Sequence, residues 1–445
     1  MKVTYIQSAT VIVENKGTKI LCDPWFTDGE YYGSWAQYPP YQFDSKFFQD
    51  IDYIYVSHIH PDHCSKKTLS LLNKKIPILI HKFPTDFLKK YLENCGFEVI
   101  ELTHNKKTPL KNGLNINIIA ADNCDPAICG NLFGCEMDKA NLGTNQIDTL
   151  CVFDNEEEVI VNVNDCVYEM VKWFAPKIKE MYKNIDMLLV GYTGASAYPH
   201  CYELEKLELQ KEAKKKEELR LNDAVNYIKL FEPKYFLPFA GRFVLAGKLV
   251  DLNSNRGEPE LETAFNYLIE KIDQRKSKGF LLNPNSTFDI SSGKASEPFT
   301  PINLEQKSEY VKNTLSKIKF TYENENEIPI NKIKELIPTA YDRFEKVRKK
   351  LNFTTETIIL IEISKNELIK ISCKGEGYKI INKEESKKIE KFIKLSLDNR
   401  LLYWILLGPQ KAHWNNADIG SHIRWKRIPN IYERGLYYCL NFFHA

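Results

Sequence analysis

Long apolar runs are missing from this chain. Nothing approaches the roughly 20 consecutive apolar residues of a membrane span, so no membrane partner is expected. The opening Met1-Lys2-Val3-Thr4-Tyr5 lacks the charged and then apolar pattern of a secretory leader, which makes a cytoplasmic location the expectation. Charge of one sign is missing as well. Lys+Arg 61 against Asp+Glu 59 leaves a formal net charge of +2, so no global field draws the chain to nucleic acid, and any anion must be held locally. The 11 cysteines are odd in number and scattered, a pattern of reduced thiols rather than of a disulfide framework. Only Cys124, Cys129 and Cys135 cluster, and the spacing of the last two is poor for zinc. Buried thiols packing a loop are the expectation there. No internal repeat is present. What remains is a globular chain of 445 residues, 43% of them hydrophobic, enough for a sizeable core and roughly two or three domains.

Histidine is scarce too, with nine in the chain, yet three of them fall in Val56-Ser57-His58-Ile59-His60-Pro61-Asp62-His63. An apolar run of strand length, Ile51 to Val56, delivers these nitrogen and oxygen donors to the mouth of a buried strand. His58 and His60 alternate along an extended chain and so point the same way. Asp62 and His63, after the Pro61 turn, reach a neighbouring position. Such a cluster has the chemistry of a metal site, with Asp62 and His63 as candidate catalytic groups as well as ligands.

Around it the chain alternates strands and helices. Val3 to Ile6, Thr10 to Glu14 and Lys19 to Cys22 read as a meander. Asp23, before Pro24, ends the last of these, either as a turn-capping carboxylate or as a partner that orients a metal-bound histidine. Residues 27 to 50 are rich in Tyr, Trp, Pro and Gly, and either seal the core or cover a pocket. Further strands are expected at Ile78 to His81, Glu98 to Leu102, Leu114 to Ala121, Leu150 to Phe153, Val159 to Val163, Ile185 to Val190 and Tyr235 to Phe239. Helices are expected at Ser65 to Asn73, Asp86 to Cys95, Cys166 to Met181, Leu204 to Phe231 and Glu260 to Lys276. His81 and His104, far from other donors, read as surface histidines. Asp165 stands at a strand terminus where a carboxylate could hold a metal. Gly194, Ala195 and Ser196 follow a buried strand, and free N–H groups there could hold a phosphate or carboxylate, although such a pattern alone is more often a plain tight turn. Arg242 either pairs with a substrate anion or makes a surface ion pair. The polar stretch from Pro284 to Pro298 reads as a linker. After it, a smaller unit is expected, with a helix near Ile330 to Leu351, strands at Thr357 to Glu362, Leu368 to Cys373 and Tyr378 to Ile381, and a helix at Lys387 to Ser396. Lys411, Arg424, Lys426, Arg427 and Arg434 form a local basic cluster around Trp414 and Trp425, either a surface patch or a lid contact.

The H-x-H-x-D-H string resembles the signature of the metallo-beta-lactamase superfamily. That resemblance implies an α/β fold, an αββα sandwich over residues 1–300 with up to two metal ions at one edge, followed by a smaller C-terminal α+β domain over residues 301–445. It also strengthens Asp165 as a ligand. His60-Pro61-Asp62-His63 with Thr68-Leu69, Ile147-Asp148-Thr149 before Asn164-Asp165-Cys166, Gly194-Ala195-Ser196, Pro238-Phe239-Ala240-Gly241 and the region through Trp425 are together similar to one branch, the cytidine monophosphate N-acetylneuraminic acid hydroxylases. That branch uses iron to hydroxylate a nucleotide-linked amino sugar, with electrons delivered through a Rieske module. No C-x-H pair occurs in this chain, so the resemblance implies a separate electron donor of Rieske or ferredoxin type.

The superfamily's third histidine is also absent, since none lies between His104 and His200, and the matching residue is Asp125. His58, His60 and Asp125 would then give two imidazoles and a carboxylate, a set suited to non-haem iron. No histidine stands near Ala240 either, and His200 is the one available to stand in or to line the substrate site. The expected metal ligands are therefore His58, His60, Asp62, His63, Asp125 and Asp165, holding one or two iron ions with zinc as the alternative. Gly194, Ala195, Ser196, His200 and Arg242 are the expected substrate contacts for a nucleotide sugar or other anionic small molecule. The competing expectation is a metallo-hydrolase acting on a phosphoester, lactone or amide.

Overall fold

A computed structural model describes residues 1–83, 85–120 and 148–445. In chain order the strands are β1 (Lys2–Gln7), β2 (Thr10–Asn15), β3 (Thr18–Cys22), β4 (Trp35–Ala36), β5 (Tyr53–Tyr55), β6 (Ile78–His81), β7 (Val99–Leu102), β8 (Thr108–Pro109) and β9 (Asn115–Ala120). They continue with β10 (Thr149–Asp154), β11 (Val159–Asn162), β12 (Met187–Gly191), β13 (Tyr235–Phe239), β14 (Val244–Leu245), β15 (Lys278–Gly279), β16 (Thr287–Asp289) and β17 (Lys294–Ala295). One sheet has the order β17-β16-β1-β2-β3-β5-β6-β7 and the other β15-β13-β12-β11-β10-β9-β8.

The two sheets face each other across Val3, Val11, Ile20, Ile118, Phe153 and Leu189, all fully buried. Burial of each such side chain stabilises by about 1.5–3 kcal/mol. The outer face of the first sheet is covered by helices Lys66–Leu71 and Phe87–Asn94, and that of the second by Tyr168–Met181, Lys206–Phe231 and Leu261–Lys271. This is the αββα sandwich expected from the sequence. The long helix Lys206–Phe231 buries Leu221, Ala224, Val225 and Ile228, the spacing of one helical face, while its charged first half is largely solvated. Among the described residues no helix is long and apolar enough to cross a membrane.

Strand direction gathers the loops at one rim. β3 and β5 are parallel with Cys22 opposite Tyr55, so Asp23 and Ser57 leave the sheet side by side. β11, β12 and β13 are also parallel, which brings Asn164-Asp165, Tyr192-Thr193 and Ala240-Gly241 out together. The carboxyl ends of parallel strands are where open α/β sheets bind ligands. β10 is antiparallel to β11, so it begins at this rim, and Thr149 Oγ1 donates to the Ser57 carbonyl at 2.8 Å to join the sheets there.

Three expectations change. The stretch from Pro284 to Pro298 is not a plain linker: it supplies β16 and β17, with Phe288 opposite Val3. Its polarity reflects an edge position, where one face meets solvent. The helix expected over Lys387 to Ser396 is a single turn, Lys383–Ser386, followed by a strand, since buried Ile393 and Leu395 alternate with more exposed neighbours. His81 is buried at 1% exposure rather than lying at the surface, with its ring 5.7 Å from that of His104.

The C-terminal strands β18 (Ile358–Glu362), β19 (Glu367–Ser372), β20 (Tyr378–Asn382), β21 (Phe392–Ser396) and β22 (Arg424–Ile428) form a further sheet of order β20-β19-β18-β21-β22. Helix Ile330–Lys350 packs on it, and the resulting core continues without a break into Trp25, Tyr31 and Trp35. Residues 27 to 50 thus act as the wedge between the sandwich and the C-terminal sheet.

Gly33 sits in that wedge with φ +101°, and a Cβ there would meet the Phe320 Cα at 3.1 Å. Gly33→Ala is expected to destabilise the protein by about 1–3 kcal/mol. The readout is a lower urea midpoint at unchanged slope; an unaltered midpoint would contradict this packing.

Candidate metal centre

Asp23 organises the centre. It is fully buried, with φ 44°, and its backbone is fixed by a hydrogen bond from its N–H to the Tyr55 carbonyl (2.8 Å) and one from Thr10 Oγ1 to its own carbonyl (2.7 Å). Its carboxylate accepts the Ser57 N–H at 2.7 Å and the Ser57 hydroxyl at 2.9 Å. With its hydroxyl proton committed to Asp23, Ser57 Oγ is left to accept from His58 Nδ1, 2.9 Å away. The same carboxylate lies 3.1 Å from His63 Nδ1. One carboxylate therefore holds the proton of both imidazoles on Nδ1, directly or through Ser57, and leaves both Nε2 atoms facing the rim. That arrangement orients metal-ligating histidines.

The freed atoms meet carboxylates. His58 Nε2 is 2.9 Å from His60 Nδ1 and 3.7 Å from Asp148 Oδ1. His63 Nε2 is 3.3 Å from Asp165 Oδ1 and 3.5 Å from Asp62 Oδ2. His58, His63 and Asp165 offer ligand atoms all within 4.8 Å of one another, and so do His58, His60 and Asp148. Donors bound at about 2.0–2.2 Å to one ion stand roughly 3–3.5 Å apart, so these edges suit two adjacent cation positions, one at His58, His60 and Asp148 and one at His63, Asp62 and Asp165.

Electrostatics agree with that fit. Burial, reinforced by His63 and His60, holds His58 well below the usual imidazole range, and burial likewise lowers His60, so both are neutral donors. Burial alone would depress His63 as well, but Asp165, Asp62 and Asp23 together raise it well above its usual value. Burial opposes ionisation of Asp165, yet His63, His58 and His60 pull it far below the ordinary carboxylate range. Burial pushes Asp148 up to about 7, with Asp165 and Asp62 adding to the push, and its Oδ1 is buried with no hydrogen-bond partner among the described residues. Carboxylates this close together, with one oxygen unpartnered among the described residues, call for a cation.

Other groups hold the donors in place. The Tyr31 hydroxyl donates to Asp62 Oδ1, and the Tyr31 carbonyl meets His422 Nε2 at 2.7 Å. Glu30, raised to about 7 by burial, accepts from Ser65 Oγ at 2.7 Å; Ser65 in turn caps helix Lys66–Leu71 by accepting the Thr68 N–H. The Asn415 amide, from the C-terminal helix Trp414–Ile419, reaches His60 Nε2 at 3.1 Å. Turned to present its oxygen, the same amide would accept the Nε2 proton and free His60 Nδ1 for a cation.

Of the expected ligands, His58, His60, Asp62, His63 and Asp165 come together. Asp125 lies outside the described residues, as do Cys124, Cys129 and Cys135. The donor found beside His58 and His60 is Asp148, which sequence reasoning passed over as a ligand even though it stands in the Ile147-Asp148-Thr149 stretch; its place at the foot of β10 was the available signal. Tyr31 and Asn415 were also missed. The expected substrate contacts lie farther along the rim. Ser196 Oγ accepts the Tyr198 N–H at 3.2 Å, and a Cβ on Gly194 would meet Arg220 Nε at 2.6 Å. Ala195 packs against the C-terminal core, and His200 Nε2 pairs with Ser421 Oγ at 2.8 Å rather than joining the metal donors. Arg242 is 9% exposed and, among the described residues, makes no ion pair, which removes the surface-pair reading. In the basic cluster Lys426 pairs with Glu203 at 3.0 Å, Arg427 lies over Tyr198 and Tyr202, and Trp414 and Trp425 are buried.

Residues 2–152 match the beta-lactamase superfamily domain. Over 300 residues the chain is 26% identical to a Mycolicibacterium smegmatis protein named as a Rieske 2Fe-2S iron-sulfur protein, covering 65% of this chain and 54% of that one. It is 26% identical over 259 residues to cytidine monophosphate-N-acetylneuraminic acid hydroxylase from Danio rerio, covering 55% of this chain and 38% of that one. The chain thus spans about half the length, or less, of these relatives. Among solved structures, isothiocyanate hydrolase from Delia radicum gut bacteria aligns over 65% of this chain and 99% of its own, with TM-score 0.44 and 14% identity. The diiron beta-hydroxylase CmlA from Streptomyces venezuelae aligns over 64% and 53%, with TM-score 0.42 and 15% identity.

Asp23→Ala should weaken metal retention by about 10–100-fold while His58, His60 and His63 stay in place. Chelator competition monitored by metal analysis measures it; unchanged retention would remove Asp23 from its orienting role.

Proposed function

From residues 2–152, which belong to the beta-lactamase superfamily, we propose that the chain is a metal-dependent oxygenase, most simply a non-haem iron hydroxylase of a nucleotide-activated amino sugar. The observation that carries this reading is the triad of His58 Nε2, His60 Nδ1 and Asp148 Oδ1, two imidazoles and a carboxylate on one face, the donor set of oxygen-activating iron(II) sites. Similarity to a hydroxylase and to Rieske-named proteins points the same way. Iron held there supplies the oxygen-activating redox chemistry.

The residues of the chain do the rest. His58, His60 and Asp148 would hold one ion, and His63, Asp62 and Asp165 a second. Tyr31 fixes the Asp62 carboxylate through its hydroxyl, so Asp62 and His63 can serve as the proton-handling pair beside the reacting group. Inserting one atom of dioxygen into a C–H bond consumes two electrons from outside and two protons and releases the other atom as water, so a Rieske or ferredoxin-type donor protein is part of the proposal. Residues 301–445 take the accessory role, with Asn415 and His422 reaching the centre from the C-terminal side. Gly194 to Ser196 and Arg242 line the path for the anionic part of the substrate.

Metal analysis of protein purified without added metals, together with oxygen uptake in the presence of a chemical or protein reductant, tests the reading. Iron as the bound metal and reductant-dependent oxygen uptake, both abolished in His60→Ala, are expected. Zinc with oxygen-independent turnover of a phosphodiester, lactone or amide would establish the hydrolase instead.

A further inference from the structure

Buried arginines in this protein fall into two kinds. Arg348 is closed off: Glu345 takes its Nε and Nη2 at 2.7 Å each, and the Phe353 carbonyl takes its Nη1 at 2.7 Å. Arg242 and Arg256 are as deeply buried, at 9% and 8% exposure, and are not closed off. Arg242 lies over the Tyr5 ring at 5.6 Å, and its Nη2 is buried with no hydrogen-bond partner among the described residues. Arg256 stacks over Phe243 at 4.1 Å, and its Nε and Nη1 are buried without hydrogen-bond partners among the described residues. Its Nη2 stands 2.7 Å from Glu258 Oε2.

Arg242 and Arg256 both line one cavity, together with Tyr192, Gly241 and Glu258. The charges around it do not cancel. Glu258 is shared, because Lys216 Nζ, itself 9% exposed, approaches its other oxygen at 3.5 Å. Lys307 and Glu260, also on the cavity wall, neutralise each other at 2.5 Å. Among the described residues, Arg242 and Arg256 on the cavity wall, with Lys216 behind Glu258, thus set three cations against the one carboxylate of Glu258. A buried guanidinium with unused N–H groups is costly unless a ligand completes it, and its planar fork matches an oxyanion.

The site is built rather than incidental. Gly257, between Arg256 and Glu258, has φ +67°, and a Cβ on it would meet the Ala213 carbonyl at 2.4 Å, so the loop is pressed against the helix that carries Lys216. Gly241, next to Arg242, packs on Thr193 and Tyr192, and a Cβ on Gly191 would lie 3.5 Å from the Asn164 carbonyl, next to Asp165. The cavity therefore adjoins the loops that bear the metal donors.

We propose that the cavity between Arg242 and Arg256, with Lys216 behind Glu258, is an oxyanion site that takes a phosphate group. The site rests on the oxygenase reading only for what that phosphate belongs to. An excess of positive charge suits a phosphate better than a carboxylate, and the source is either the phosphoryl end of a substrate or free phosphate.

Calorimetric titration of the full chain with inorganic phosphate, and separately with a nucleoside 5′-monophosphate, tests it. Saturable binding is expected, weakened about tenfold or more in Arg256→Gln and Arg242→Gln, the loss of a charge-assisted hydrogen bond. Binding should persist in His60→Ala and tighten in Glu258→Gln, a gain that does not depend on the arginine variants folding. Tighter binding of the nucleotide marks the site as part of the substrate pocket; equal binding marks free phosphate as its ligand. Failure of both probes to bind overturns the proposal, as does a Glu258→Gln protein that binds no tighter. Binding lost in His60→Ala but kept in Arg256→Gln places the anion on the metal centre and overturns it equally. Phosphate binding without reductant-dependent oxygen uptake leaves this site standing and removes only the oxygenase reading.

Discussion

The Asp23 carboxylate ties together histidines that the chain presents on opposite sides of the Pro61 turn. It takes His63 Nδ1 directly and reaches His58 Nδ1 through the Ser57 hydroxyl, so a single buried charge sets the tautomer of both rings. The position depends on register, because Asp23 leaves β3 beside Ser57 only when β3 and β5 run parallel as observed. The left-handed backbone at Asp23 is strained by about 1–3 kcal/mol, which the surrounding bonds from Thr10, Tyr55 and Ser57 offset. Burial raises the Asp23 carboxyl, while His63 and Ser57 pull it back, so the charge of Asp23 and that of His63 depend on each other.

That dependence explains why the C-terminal region matters to a centre built on the sandwich. Tyr31 clamps Asp62 by its hydroxyl and is itself clamped by His422, which also meets the Tyr322 hydroxyl at 3.1 Å. Asn415 touches the one imidazole of the centre that Asp23 does not reach. Each histidine of the string therefore has an orienting partner: the carboxylate for His58 and His63, the amide for His60. The wedge of Trp25, Tyr31 and Trp35 transmits the position of the C-terminal core to the rim because its rings are packed without gaps, Trp35 lying on Phe243 at 3.4 Å between centroids.

Much of this was legible in the sequence where the cause is local. The alternating apolar runs gave the strands, and the histidine string gave its own donors, since neighbours in an extended segment stay neighbours in space. Even Asp23 was readable as one of two roles from its place before Pro24. What escaped is what depends on register and on distance along the chain. Asp148 becomes a donor only because β10 starts at the same rim as β5 ends, and Asn415 lies 355 residues from the ring it touches. Short edge strands such as β16 and β17 are too brief and polar to outweigh a linker reading. Phe392–Ser396 was lost to a helical pattern that ends after one turn.

The composition of the donor set then bears on chemistry more strongly than the fold does, since one fold can host unrelated reactions. A centre of neutral imidazoles alone would carry only the charge of its ion. Here His58 and His60 are neutral, but Asp62, Asp148 and Asp165 bring carboxylates to the same few ångströms. Three carboxylates beside three imidazoles give the centre more negative charge than a histidine-only site, a donor set suited to a cation of higher charge. The same reasoning separates the centre from the Arg242 and Arg256 cavity beside it, where the excess charge is positive and the missing partner is an anion. A cation site and an anion site side by side on one rim are complementary to a substrate whose reactive end and charged end lie close together.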